Sequence, residues 1–128
     1  MTQRQILLVD DEPHVTRVLR LALEKEGYAV TIAHDGNEAL ACMARQVPDL
    51  VISDIQMNGM DGRTFCPLAR ATYPDHDFLI LVMTSMTALE ERSWAQALRN
   101  TEFLEKPLSP RQLVARLARH FARLDAAA

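Results

Sequence analysis

The stretch Ile6-Leu7-Leu8-Val9-Asp10-Asp11-Glu12-Pro13 sets four branched apolar residues against an acidic break. A run of four without alternation suits a short strand buried on both faces. Beyond it the apolar positions change period: Val15, Val18, Leu19, Ala22 and Leu23 fall at i, i+3, i+4, i+7 and i+8, the stripe of an amphipathic helix. Gly27 then supplies the residue that ends such a helix, and a second apolar run follows at 28–33. Strand, helix and strand in so short a span form a βαβ unit, whose two strands must run parallel.

The same alternation continues outward. Further short apolar runs lie at 50–53, 78–83 and 102–104, which with 6–9 and 28–33 makes five strands. Helical patterns fill the intervals. One opens at Asp35 with Glu38 three residues on; another opens at Ser109, with Pro110 at its first position and Gln112 three residues after the cap. Residues 63–72 and 88–99 complete the set. Strict alternation predicts an α/β fold, a doubly wound five-stranded parallel sheet with helices on both faces.

Composition agrees with one such domain. The chain has 128 residues, 48% hydrophobic and 24% charged, ordinary globular usage for a single core. Its apolar runs are far shorter than the roughly 20 residues a membrane helix needs, and no apolar leader follows the N-terminus, so a cytoplasmic protein is expected. The net charge of −3 is too near neutral for a nucleic-acid footprint, so direct DNA binding is not expected. Cys42 and Cys66 lie far apart without metal-ligand spacing and read as reduced, buried thiols. Charge is uneven, with 6 basic against 10 acidic residues in 1–64 and 8 against 7 in 65–128. No linker or repeat divides the chain, and the expected domain is 1–123, with 124–128 a frayed tail or the start of a linker.

In doubly wound sheets the ligand sits beyond the carboxyl ends of the strands. Here the first strand ends at Asp10-Asp11, the third at Asp54, the fourth at Thr84-Ser85 and the fifth at Lys106. Three carboxylates brought together repel one another unless a cation neutralises them, and an all-oxygen donor set suits Mg²⁺ or Mn²⁺ better than zinc. Asp54 would then be an oxygen nucleophile toward a phosphoryl group, with Lys106 and Thr84 donating to the phosphoryl oxygens.

The residues at these strand ends, Ile6 to Pro13, Asp54-Ile55-Gln56-Met57 with Gly59-Met60-Asp61-Gly62, Thr84-Ser85 and Lys106-Pro107, taken together and in this order, resemble the receiver domain of two-component response regulators. The resemblance implies a flavodoxin-like (βα)5 fold, a phosphorylation-controlled switch and a soluble, cytoplasmic signalling role. It makes Asp54 the phospho-acceptor, Asp11 a direct metal ligand, Asp10 the holder of a metal-bound water and the Gln56 carbonyl a third protein ligand. It assigns Thr84 to phosphoryl sensing, Phe103 to an aromatic switch and Lys106 to the phosphoryl counter-charge. The implied donor is a sensor histidine kinase or a phosphotransfer protein, and a phosphorylation-dependent homodimer is one assembly it allows. Such a chain is no conventional enzyme: it catalyses its own aspartyl phosphorylation and slow dephosphorylation. Two rivals stand beside this reading: a pseudo-receiver that only binds partners, and an aspartate phosphatase of the haloacid-dehalogenase type. The latter wants a second acid where Gln56 stands.

Several positions depart from the pattern. Asn58 stands where proline is usual, and the Asn58-Gly59 turn signal predicts a looser loop that Asn58→Pro would stiffen, tightening cation binding. Pro67 predicts a third helix that starts late or kinks. Arg99-Asn100 replaces a small pair before the fifth strand, and Arg92, Ser93 and Gln96 make the fourth helix unusually polar. Trp94 falls off the stripe of Ala88, Ala95 and Leu98 and is expected to be half-buried. Arg116, Arg119 and Arg123 share one face of the last helix, read as solvated, and His14 as an exposed first-turn residue.

Overall fold

The computed structural model describes residues 3–85 and 89–127, and the side chains of 89–92 lie outside that description. Five strands, β1 (Gln5–Val9), β2 (Ala29–Ala33), β3 (Leu50–Asp54), β4 (Leu79–Thr84) and β5 (Thr101–Glu105), alternate with α1 (Pro13–Lys25), α2 (Gly36–Arg45), α3 (Gly62–Thr72), α4 (Leu89–Gln96) and α5 (Pro110–Ala127). All strand pairs are parallel, in the order β2-β1-β3-β4-β5. Strand order reverses between β1 and β3, so the crevice of a doubly wound sheet opens above those two strands.

The side-chain period of two sorts the central strands onto two cores. Ile6, Leu8, Leu50, Ile52, Leu79, Leu81 and Met83 meet Leu19 and Leu23 of α1 and Leu113, Leu117 and Phe121 of α5. Leu7, Val9, Val51, Ile80 and Val82 meet Ala39 and Met43 of α2 and Phe65, Cys66 and Ala69 of α3. Strands β1, β3 and β4 are therefore coated twice, which is why they read as unbroken apolar runs.

The helix ends follow their caps, with differences. The Asp35 carboxylate accepts the Glu38 N–H at 2.9 Å, but Glu38 reaches back to the His34 N–H instead of closing the box on Asp35. Ser109 Oγ accepts from the Gln112 N–H at 3.3 Å. Gly27 ends α1 at φ +97° as expected. Helix α3 does not start late: Asp61 caps it through the Thr64 N–H at 3.0 Å, and the helix runs on through Pro67. Helix α4 stops at Gln96, short of the expected 99, because the chain turns there and Arg99 and Asn100 are drawn into other bonds; its expected start at Ala88 lies outside the described residues. Helix α5 runs to Ala127, and Asp125 in its last turn is paired with Arg4. Cys66 is buried and Cys42 half-buried, both free; burial pushes the Cys66 thiol up to about 12. None of the described helices is long and apolar enough to cross a membrane.

Candidate acidic phosphoryl-acceptor site

Strands β1 and β3 are neighbours in register, Val9 beside Ser53. Their C-terminal ends therefore deliver Asp10 and Asp54 side by side, and the turn into α1 adds Asp11. One carboxylate oxygen from each of the three lies within 4.8 Å of the others. Asp10 is fully buried: its Oδ1 accepts the Glu12 N–H at 3.0 Å, and its Oδ2 has no partner among the described residues. Burial pushes the Asp10 carboxyl above its ordinary range; the Glu12 amide draws it part of the way back, and the charge of Asp54 raises it again.

Asp54 is 5% exposed, and both its oxygens are engaged. Oδ1 accepts the Ile55 N–H at 2.8 Å, and Oδ2 faces Lys106 Nζ at 2.9 Å. Lys106 reaches it because the strand end next door is tied down: the Lys106 N–H donates to the Thr84 carbonyl at 2.7 Å. Helix α3 closes on the same point. Gly62 donates its N–H to the Ile55 carbonyl at 2.8 Å, and a Cβ at Gly62 would stand 2.2 Å from the Asp54 carbonyl oxygen, so only glycine admits this approach.

The structure thus brings together Asp10, Asp11, Asp54 and Lys106, as the strand-end reading expected. Thr84 is buried at the end of β4, in the adjacent position. Gln56 lies in the loop after β3 with its side chain exposed. Phe103 is half-buried on β5 and meets Trp94 edge to face, centroids 6.4 Å apart at 79°, which also makes Trp94 the half-buried packing residue expected of it. His14 is exposed, as expected. Beside Lys106 an open groove of about 550 Å³ runs past His14, Val15, Val18 and Leu108. Sequence reasoning missed one contact: the Asn58 N–H donates to Asp11 Oδ2 at 3.0 Å. No residue-type signal marks it, because every residue but proline carries that donor. The loop is tied at several points. It is pinned by Asn58, by the Gly36 N–H on the Met60 carbonyl at 2.8 Å and by Gly62 on Ile55.

Comparison with known proteins agrees with this architecture. Residues 6–118 match the response regulator receiver domain family. The chain is 34% identical over 127 residues to a protein of Porphyridium aerugineum named probable transcriptional regulator ycf27, covering 99% of this chain and 52% of that one. A protein of the same name from Guillardia theta is 35% identical, with 99% and 49% covered. The chain therefore spans about half the length of these curated relatives. Among solved structures, the chemotaxis response regulator CheY4 of Vibrio cholerae is similar at 33% identity and a TM-score of 0.82, covering 92% of this chain and 98% of that one. A CheY-like receiver domain protein from Methanospirillum hungatei shares the fold at 24% identity and a TM-score of 0.89, over 99% and 100% of the two chains. The chain belongs to the receiver-domain family of response regulators, the signalling class of two-component systems.

Proposed function

We propose that this domain, residues 1–123, is a phosphorylation-controlled switch in which Asp54 is the phospho-acceptor. The observation that carries the reading is a buried carboxylate held 2.9 Å from Lys106 Nζ and flanked by two further acids at the switch point of the sheet. Asp54 attacks the phosphorus of a phosphohistidine on a sensor kinase or phosphotransfer protein. An O–P bond forms, the N–P bond breaks, and the freed imidazole takes a proton from solvent. The groove beside Lys106 supports docking of such a donor, since its apolar floor gives a partner helix something to bury next to the acceptor.

Asp10, Asp11 and Asp54 would hold a divalent cation, Mg²⁺ or Mn²⁺, with the Gln56 carbonyl as the ligand the family likeness adds. The unpartnered Asp10 Oδ2 and the all-oxygen donor set fit such an ion. When bound, it would supply positive charge against the phosphoryl oxygens and the crowded carboxylates. Lys106 already stands at Asp54 Oδ2 and can follow the charge onto the transferred group. Thr84, at the adjacent strand end, turns its hydroxyl toward the new phosphoryl oxygens, and Phe103 moves into the space released; the α4–β5–α5 face changes with them. The chain thereby catalyses its own modification and slow hydrolysis, in the cytoplasm where such donors work.

Incubation with a small acyl phosphate and Mg²⁺, followed by intact mass measurement, tests this. A gain of one phosphoryl group, absent from Asp54→Asn at unchanged fold, is expected. Release of phosphate from assorted monoesters, or no adduct at all, would favour the phosphatase or the pseudo-receiver.

A further inference from the structure

The register of β4 and β5 sets Val82 beside Phe103, so the two side chains share one face of the sheet, the face of the α2–α3 core. Thr84, two residues past Val82, stands on that face as well, one position beyond the Asp54–Met83 pair. Phe103 is thus the diagonal neighbour of Thr84 across the ladder. It also meets Trp94 of α4 edge to face, with centroids 6.4 Å apart at 79°.

Trp94 is the side chain by which α4 holds to the sheet. Of the described side chains of this helix, Ser93 and Gln96 are exposed and Ala95 is buried but small, which leaves the indole as the large apolar surface turned inward. Its ring packs on the α2–α3 core together with Phe103 and Leu98. The seat is incomplete, however: Trp94 Nε1 is buried and has no hydrogen-bond partner among the described residues. An N–H shut away from water without an acceptor works against the closed pair, while the edge-to-face contact and the buried ring work for it. The closed pair is therefore a difference of opposing terms, which a movement of Phe103 can tip.

We propose that Trp94 is a positioning residue for the switch: its ring holds Phe103 in the rotamer of the unmodified domain, and the pair is a latch that opens when Asp54 carries a phosphoryl group. This rests on the acceptor and switch reading given above. Once the Thr84 hydroxyl turns toward the phosphoryl oxygens, Phe103 takes the space released only by leaving the edge of the indole. Trp94 then loses its contact, its N–H gains water, and α4 loses the side chain that seated it on β5. The latch accordingly opposes phosphorylation, and by linkage a change that loosens it favours the modified state.

Trp94 is the only tryptophan in the chain, so its emission reads the latch directly. The whole chain is treated with a small acyl phosphate and Mg²⁺ while intact mass counts the adduct, and the emission should move to longer wavelength in step with it. Phe103→Ala, with no ring to withdraw, should gain the adduct without that movement. An edge-to-face pair shifts an equilibrium by about 2- to 10-fold, so Trp94→Ala should form the adduct faster by about that factor at limiting donor. Placed in the Phe103→Ala background, Trp94→Ala should leave the rate unchanged. Emission that stays fixed at full adduct, an equal movement in Phe103→Ala, a folded Trp94→Ala that reacts no faster, or a gain that persists without Phe103 overturns the proposal. Should Trp94→Ala not fold, the emission of the natural chain against that of Phe103→Ala decides alone. A natural chain that takes no adduct would overturn the acceptor reading, and this inference with it.

Discussion

At the carboxyl end of the sheet Asp10 lies fully buried with one oxygen unpartnered among the described residues, and a single lysine answers three acids. At the amino end the buried charge is Arg70 of α3, 6% exposed, and its hydrogen-bond partners are neutral carbonyls. Its Nε donates to the Arg99 carbonyl at 2.9 Å and one Nη to the Phe78 and Asn100 carbonyls at 2.5 and 2.7 Å, while the guanidinium lies over the Phe78 ring at 4.6 Å. Among the described residues Nη1 has no partner. Burial, with Arg99 nearby, lowers the Arg70 pKa. Around it Arg99 reaches the Pro74 carbonyl at 2.9 Å and Asn100 Nδ2 the Asp77 carbonyl at 2.8 Å, so the α3–β4 and α4–β5 loops are clasped together. One end leaves charge unbalanced, where a ligand can use it. The other satisfies its charge with the chain's own carbonyls and serves the fold.

The largest effect that would break this contrast is at the clasp. Arg70→Ala strips three carbonyls of a charged donor and should cost about 3 kcal/mol of stability, read as a fall in the urea midpoint at unchanged m value. A loss below about 1 kcal/mol would mean that solvent replaces the guanidinium and the amino end is no clasp.

Next in size is the carboxyl end. Mg²⁺ at a hundredfold excess over its Kd should stabilise the natural chain by about 2.7 kcal/mol, and Asp11→Ala should lose most of that gain. The same increment should appear in Arg70→Ala, since well-separated sites add. Thermal melts with and without Mg²⁺ on the three chains check both statements. A clasp variant that lost the metal response would show the two ends to be coupled.

The smallest effect concerns a buried base outside both ends. His120 of α5 lies edge-on to Phe121 at 5.0 Å and is faced by Arg116 and Arg123 of its own helix, Glu102 of β5 and Arg4 beside β1. Burial first, then Arg116 and Arg123, lower its pKa below the ordinary 6.5. The folded chain therefore binds fewer protons than the unfolded one as pH falls below 6.5. The stability His120 allows at neutral pH is full above 6.5 and is lost as pH drops toward the folded pKa. Melting temperatures at about pH 7.5 and 5.5 should differ less in His120→Gln than in the natural chain. An equal difference would assign the acid response to other groups.

The doubly wound sheet was readable because β1, β3 and β4 are buried on both faces, and double burial demands the unbroken branched runs that a sequence displays directly. The clustered carboxylates were readable for a related reason. They sit one step past those runs, and strand ends in a parallel sheet all meet on one rim. What the sequence hid were groups whose role depends on the backbone. Arg99-Asn100 looked like an anomaly and proves to be half of a clasp, with Asn100 at φ +49° offering its carbonyl to Arg70. Pro67 suggested a late start or a kink in α3, and Asp61 starts the helix ahead of it.

By itself, then, the sequence determined the strand and helix order, the two apolar faces of the sheet and the identity of the acids and the lysine at its rim. These depend on period and adjacency, which are local. Only the tertiary structure decided that the Asn58 N–H lands on Asp11, that α3 closes on Asp54 through Gly62 and that Arg70 finds three carbonyls. Each of these depends on a main-chain donor or acceptor, a group that nearly all residues share and that no side chain reveals.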